Sequence, residues 1–252
     1  MKKNYEMDMC SGPILGKLLT FTIPLIFSGI LQLLFNAADV IVVGRFAGSQ
    51  SLAAVGSTTA LINLMINIFI GLSVGVNVIV ARYYGAKREK DVQDTIHTAM
   101  ALSIVSGLFL IIVGQLLSRP MLELMGTPDD VIDKSTIYMR IIFIGMPANM
   151  IYNFGSAILR AVGDTKRPLY FLTAAGVINV VLNLFFVIMF QMDVAGVALA
   201  TAISQAISAC LVILCLMESE GRATHFVKKF APGFLDRMFY LVMSKEPDSP
   251  LK

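Results

Sequence analysis

LLTFTIPLIFSGILQLLFNAADVIVVG, residues 18–44, decides how the rest of the chain is read. A bilayer-crossing helix needs about 20 mainly apolar residues, and this run exceeds that. Its single ionisable residue is Asp39. A carboxylate in a spanning helix costs roughly 2.5–3.5 kcal/mol on insertion scales, so it faces a protein interior or a water-filled cavity and marks an ion, proton or substrate route. At about 100° per residue, Ser28, Gln32, Asn36 and Asp39 share one face. A helix that is apolar except along one such line borders something wet.

The whole chain is membrane-like. Mean hydropathy is +0.76, with 56% hydrophobic and 15% charged residues, against about 25% charge in soluble domains. This excludes a soluble enzyme. Six apolar stretches, near 18–44, 57–81, 96–118, 136–159, 168–190 and 194–217, predict an all-α membrane protein built as a six-helix bundle over residues 1–217. The first stretch is too long for a cleavable signal and lacks its small-residue cleavage pattern, so it is expected to remain as a helix. Residues 218–252 read as a cytoplasmic tail. Within it, 226–242 has the alternation of Phe and Leu with Lys and Arg expected of an interfacial amphipathic helix.

The basic residues set the topology. With the N-terminus in the cytoplasm, all of the 20 lysines and arginines fall inside except Arg45, Arg119, Lys134 and Arg140, and such a bias orients multi-pass proteins with the basic loops inside. Both termini are therefore expected in the cytoplasm, with the chain in the cell membrane among lipids. The net charge of +3 follows from this topology, so nucleic acid is not an expected partner.

Pro24 and Pro147 fall inside spans, where a proline removes a backbone hydrogen bond and bends the helix; both are hinge candidates. Polar lines recur on other spans. Thr59, Asn63 and Asn67 share a face of the second, Asn149, Asn153, Ser156 and Arg160 of the fourth, Asn179 and Asn183 of the fifth, and Thr201, Ser204, Gln205 and Ser208 of the sixth. Any one of these can serve simply as interhelical glue, worth about 0.6 kcal/mol. A bundle needing only glue would not carry so many amides, so Ser28, Gln32, Asn36, Asn63, Asn67, Asn149 and Asn153 are expected to line a cavity. By helical rise, Asp39 lies roughly 9 Å below Arg45 and Asn183 roughly 15 Å below Asp193, both in the outer half of the membrane. If the first and fifth spans are neighbours, one carboxylate and two amides surround a proton-bearing water or a small cation such as Na⁺.

Other chemistry is weakly signalled. His97 and His225 have no partner at metal-ligand spacing, so no metal centre and no cofactor are expected. Cys210 and Cys215 read as small apolar residues of the sixth span, and Gly71-Leu72-Ser73-Val74-Gly75 as a helix-packing motif.

Five segments carry a family resemblance. Ile23-Pro24 through Asn36-Ala37-Ala38-Asp39 and Val43-Gly44 resemble the first helix of the multidrug and toxic compound extrusion (MATE) transporters. Ala81-Arg82-Tyr83-Tyr84-Gly85-Ala86 resembles the end of their second helix, and Leu159-Arg160-Ala161-Val162-Gly163-Asp164-Thr165-Lys166 the loop after their fourth. Asn179-Val180-Val181-Leu182-Asn183 and Gly196-Val197-Ala198-Leu199-Ala200-Thr201 are similar to their fifth and sixth. The resemblance covers roughly residues 13–217. It implies export of drugs or other amphiphilic organic compounds by H⁺ or Na⁺ antiport, with Asp39 as the ion-coupling carboxylate and Asn179, Asn183 and Thr201 around it. Some members carry a second acid at the position of Asn183. Members also have twelve spans in two lobes, so the chain corresponds to the first lobe, and the partner implied is a second lobe or, in its place, a parallel copy of this chain. The competing readings are a lipid-linked oligosaccharide flippase, which needs a basic cavity, and a truncated membrane protein that transports nothing.

Overall fold

The structure, a computed structural model, describes residues 14–219; the tail and its 226–242 segment lie outside the described residues. The described chain is helical almost throughout: α1 Ile14–Val42, α2 Ser49–Gly85, α3 Glu89–Leu124, α4 Asp129–Ile144, α5 Met146–Ala161, α6 Lys166–Leu184 and α7 Asp193–Ser219, with π-turns at Val43–Ala47 and Phe185–Met189 closing α1 and α6. Five of these helices are long and apolar enough to cross a membrane, and α4 with α5 makes a sixth span.

The helices outrun the apolar stretches that predicted them. α2 begins at Ser49 rather than near 57, and α3 runs from Glu89 to Leu124 rather than 96–118. Hydropathy registers only the roughly 30 Å hydrocarbon layer, whereas a helix continues into water until a stop signal. Those stops are Schellman closures. Gly126 (φ 72°) ends α3, with Thr127 N–H bonded to Leu122 C=O at 3.1 Å. Gly163 (φ 86°) ends α5, with Asp164 N–H on Leu159 C=O at 2.9 Å.

The two prolines behave differently. α1 continues through Pro24 as one helix, and the Ser28 hydroxyl donates to the Pro24 carbonyl at 2.8 Å. The fourth span instead breaks at Gly145 and turns by 48°. Pro147 has no N–H to give the Phe143 carbonyl, which removes one rung at the start of α5.

The core lies where α5 crosses α3, α2 and α7. Phe143, Met146, Met150 and Phe154 on the bent span are fully buried there, with Leu110 of α3 and Val197 of α7. Glycines make these crossings close, but not the predicted ones. A Cβ on Gly71 or Gly75 would meet nothing within 4 Å, so that motif packs against nothing in this bundle. On Gly107 a Cβ would lie 2.3 Å from Pro147 Cα, and on Gly155 2.1 Å from Val212 Cγ1. Residue spacing along one helix cannot tell which glycine faces another backbone. Cys215 is buried as expected, but its sulfur accepts from Arg167 at 3.1 Å, and Cys210 is exposed.

α1 is peripheral. Its lengthwise partner is α6, and most of its large side chains, Leu15, Leu33 and Ile41 among them, face outward. The α1–α6 contact depends on Gly176, where a Cβ would lie 1.9 Å from the ring of Phe35. Phe35 precedes Asp39 by one turn, so its seat on Gly176 sets where Asp39 meets α6.

Candidate functional site

A cavity of about 380 Å³ opens between α1, α2, α4, α5, α6 and α7. Of the sequence candidates, Gln32, Asn36, Asp39, Asn63, Asn149, Asn153, Asn179 and Thr201 line it. Ser28 and Asn67 are not among the lining residues: the Ser28 hydroxyl is taken by its own helix, and Asn67 is exposed elsewhere on α2. Helical spacing was not enough: the α1 lining begins at Gln32, one turn past Ser28, and on α2 the lining continues through Ile66 and Ile70, so Asn67 lies within its depth but is rotated off the wall.

At one end of the cavity the α1–α6 contact brings Asp39 against Asn183, whose amide donates to Asp39 Oδ1. The same Nδ2 donates to Asn179 Oδ1 at 3.2 Å, and Asn179 Nδ2 donates to Thr201 Oγ1 at 3.2 Å. The Thr201 hydroxyl passes its proton to the Val197 carbonyl at 3.0 Å. Three helices thus join in one hydrogen-bond chain that branches at Asn183, whose amide donates one way to the Asp39 carboxylate and the other way through Asn179 and Thr201 to the Val197 carbonyl. Asn183 is fully buried, and its amide oxygen has no partner among the described residues. An unpaired buried carbonyl is costly. Beside a carboxylate, a proton on Asp39 or a hard cation would satisfy it, since oxygen donors suit small cations.

The other end is amide-rich and neutral. Asn153 Nδ2 donates to Asn149 Oδ1 at 2.8 Å and to the Asn149 carbonyl at 2.9 Å, while Gln205 Oε1 is buried without a partner among the described residues. The Ser204 and Ser208 hydroxyls donate to their own helix, at 2.9 Å each, and so offer the cavity no free proton. Among the described residues Asp39 is the one charged side chain lining the cavity, and Arg160 is not among the lining residues.

Two lining residues, Tyr138 and Tyr152, escaped the sequence reading. Tyr138 is almost fully buried, and the Tyr152 hydroxyl donates to the Pro168 carbonyl at 3.2 Å. The signal was there: Tyr138, Ile142, Met146, Asn149 and Asn153 follow one helical face through the bend. Among the described residues no group of three or more His, Cys, Asp or Glu side chains is placed to hold a metal ion.

The MatE family model matches residues 24–185. The chain is 33% identical to the probable multidrug resistance protein YoeA of Bacillus subtilis (strain 168), over 90% of this chain and 48% of that protein. It is 31% identical to the probable multidrug resistance protein YpnP of the same organism, over 80% and 45% respectively. The chain therefore spans about half the length of the curated relatives it matches. Its fold superposes with a TM-score of 0.78 on a crystal structure of a MATE in the bent conformation, at 24% identity, covering 89% of this chain and 51% of that one.

Proposed function

Because this chain belongs to the MATE family of multi-pass membrane proteins, we propose that it acts as the ion-coupling half of a secondary exporter of drugs or other amphiphilic organic compounds. The driving ion is H⁺ or Na⁺, moving inward at Asp39, Asn179, Asn183 and Thr201. One observation carries this reading: the hydrogen-bond chain that ends on Asp39 beside the unpartnered Asn183 oxygen. A purely structural amide pair would have both of its oxygens satisfied. The lining has no lysine or arginine among the described residues, which weighs against a flippase for phosphate-bearing lipids. The inner concentration of lysine and arginine supports a cell-membrane location with both termini in the cytoplasm.

Asn183→Leu tests the ion assignment. It removes both the donor to Asp39 and the free oxygen at similar volume, so in an assembled transporter the ion concentration giving half-maximal activity should rise about tenfold, the cost of roughly one charge-assisted hydrogen bond. Substrate affinity measured without the ion should stay within about twofold. An unchanged ion activation curve would reassign Asn183 to helix packing.

Alternating access needs a second lobe across the cavity. The 252-residue chain alone should insert with its N-terminus inside yet fail to drive dye accumulation in proteoliposomes, unless two copies pair in parallel. Crosslinking counts the subunits. Ion-driven uptake by a strictly monomeric chain would overturn the two-lobe reading, whereas a well-inserted dimer that transports would replace the second lobe with a parallel copy.

A further inference from the structure

The two helices that meet at Asp39 and Asn183 share an irregularity. α1 ends in the π-turn Val43–Ala47, four residues beyond Asp39, and α6 in the π-turn Phe185–Met189, two residues beyond Asn183. The two turns touch each other, with Val43 and Val187 buried. A π-turn holds one residue more than an α-turn and is the rarer form, found frequently at functional sites. Relaxing either to α would rotate the residues on its two sides by about 100° relative to one another. Something must hold both turns wide.

Just outside them lies a three-way contact. Asp193, the first residue of α7, accepts from Ser51 of α2 and pairs with Lys134 of α4 at 2.6 Å, and Lys134 Nζ also donates to Ser51 Oγ at 3.1 Å. Ser51 is fully buried. Asp193 belongs to the short connection from the second π-turn, in which Gln191 (φ 51°) and Asp193 (φ 53°) both occupy the left-handed region without being glycine. Such a backbone is unfavourable for side-chain-bearing residues and persists only when its surroundings enforce it. Met192 N–H closes back on the Phe186 carbonyl at 3.2 Å, so the strained connection and the π-turn are one unit. The triad is its attachment to α2 and α4.

We propose that Ser51, Lys134 and Asp193 form an outer latch holding the paired π-turns closed above Asp39 and Asn183, and that releasing it opens a path from the outer surface between Val43 and Val187. These three are positioning residues: they act on the ion site through the π-turns and do not touch the ion. That the path serves an ion rests on the coupling role proposed above. The latch itself does not.

The test reads access directly. Val187→Cys is made in the full 252-residue chain and intact cells are treated with a membrane-impermeant thiol reagent, with modification followed by mass spectrometry of the peptide containing position 187. That cysteine should be protected. Adding Lys134→Met should speed its labelling about tenfold, the factor expected for a lost charge-assisted hydrogen bond, whereas Lys134→Arg should preserve protection. The exchange Lys134→Asp with Asp193→Lys should restore most of it. Met150→Cys, fully buried in the core, should stay unreactive in every background. Equal labelling of position 187 with and without Lys134→Met overturns the latch, as does a parallel rise at position 150, which would mean general loosening. If Val187→Cys does not fold, Val43→Cys gives the same reading from the facing turn. Labelling requires no ion, so a failure of ion coupling, seen as unaltered ion binding in Asp39→Asn, is separable from a failure of the latch.

Discussion

Asp39→Asn is expected to weaken ion binding at least about a hundredfold while leaving the fold intact. The substitution keeps the side chain's shape and its oxygen for the Asn183 amide, but removes the one charge that lines the cavity among the described residues. Removing one partner of a buried charge interaction costs about 3–5 kcal/mol, so ion affinity should fall by a factor of roughly a hundred to several thousand. A second consequence distinguishes this from simple damage. The new amide can donate to Asn183 Oδ1, which has no partner among the described residues of the native chain. The variant should therefore be at least as thermostable as the native chain in ion-free buffer, and should lose the rise in melting temperature that a binding ion produces. Thermal melts of the purified chain across an ion titration check both halves. In an assembled transporter the same change should end gradient-driven efflux; normal efflux by a well-inserted variant would remove Asp39 from the mechanism.

Gly107→Val should be among the most destabilising substitutions in the bundle. A Cβ at 107 would stand 2.3 Å from Pro147 Cα and 2.9 Å from its nitrogen. These are backbone atoms at the start of α5, just past the 48° bend, and unlike the end of a long side chain they cannot move aside. The cost should reach about 3 kcal/mol, the upper end for overpacking, and appear as lost yield of monodisperse protein with a lowered melting temperature in detergent. Gly75→Val is the control. Nothing stands within 4 Å of its Cβ position, so it should change the stability of the isolated chain by no more than about 0.5 kcal/mol. If the two variants melt alike, close α3–α5 packing does not hold the bend.

These glycines show where local reading stops. Gly71 and Gly75 have the motif spacing and pack on nothing, while Gly107, Gly155 and Gly176 have no motif and let helices meet. Pro24 and Pro147 make the same point for bends. Each lacks an N–H, but only the fourth span breaks, where Gly145 lies beside the proline and α3 admits it through Gly107. The cavity was partly legible for a similar reason. The faces bearing Gln32, Asn36, Asn63, Asn149 and Asn153 could be read from periodicity, but the depth and exact rotation at which the faces converge could not: Ser28 lies a turn beyond the lining of α1, and Asn67 lies between the lining Ile66 and Ile70 but faces away.

The sequence alone determined that the chain is built of helices apolar enough to cross a membrane, which ends of those helices carry the basic residues, and which face of each helix is polar, whereas the grouping of Asp39 with Asn179, Asn183 and Thr201 came from the family resemblance. Hydropathy, charge bias and helical period act along one segment at a time, and these properties need no second segment to be expressed. Tertiary structure decided that Asn183 donates to Asp39 yet keeps its own oxygen free, that Tyr138 and Tyr152 join the cavity wall, and that Ser51, Lys134 and Asp193 tie three helices beside a pair of π-turns. Each depends on how closely two or more helices approach and in what rotation, and that is set by the volumes facing one another across the gap: Phe35 on Gly176, Pro147 on Gly107, Val212 on Gly155.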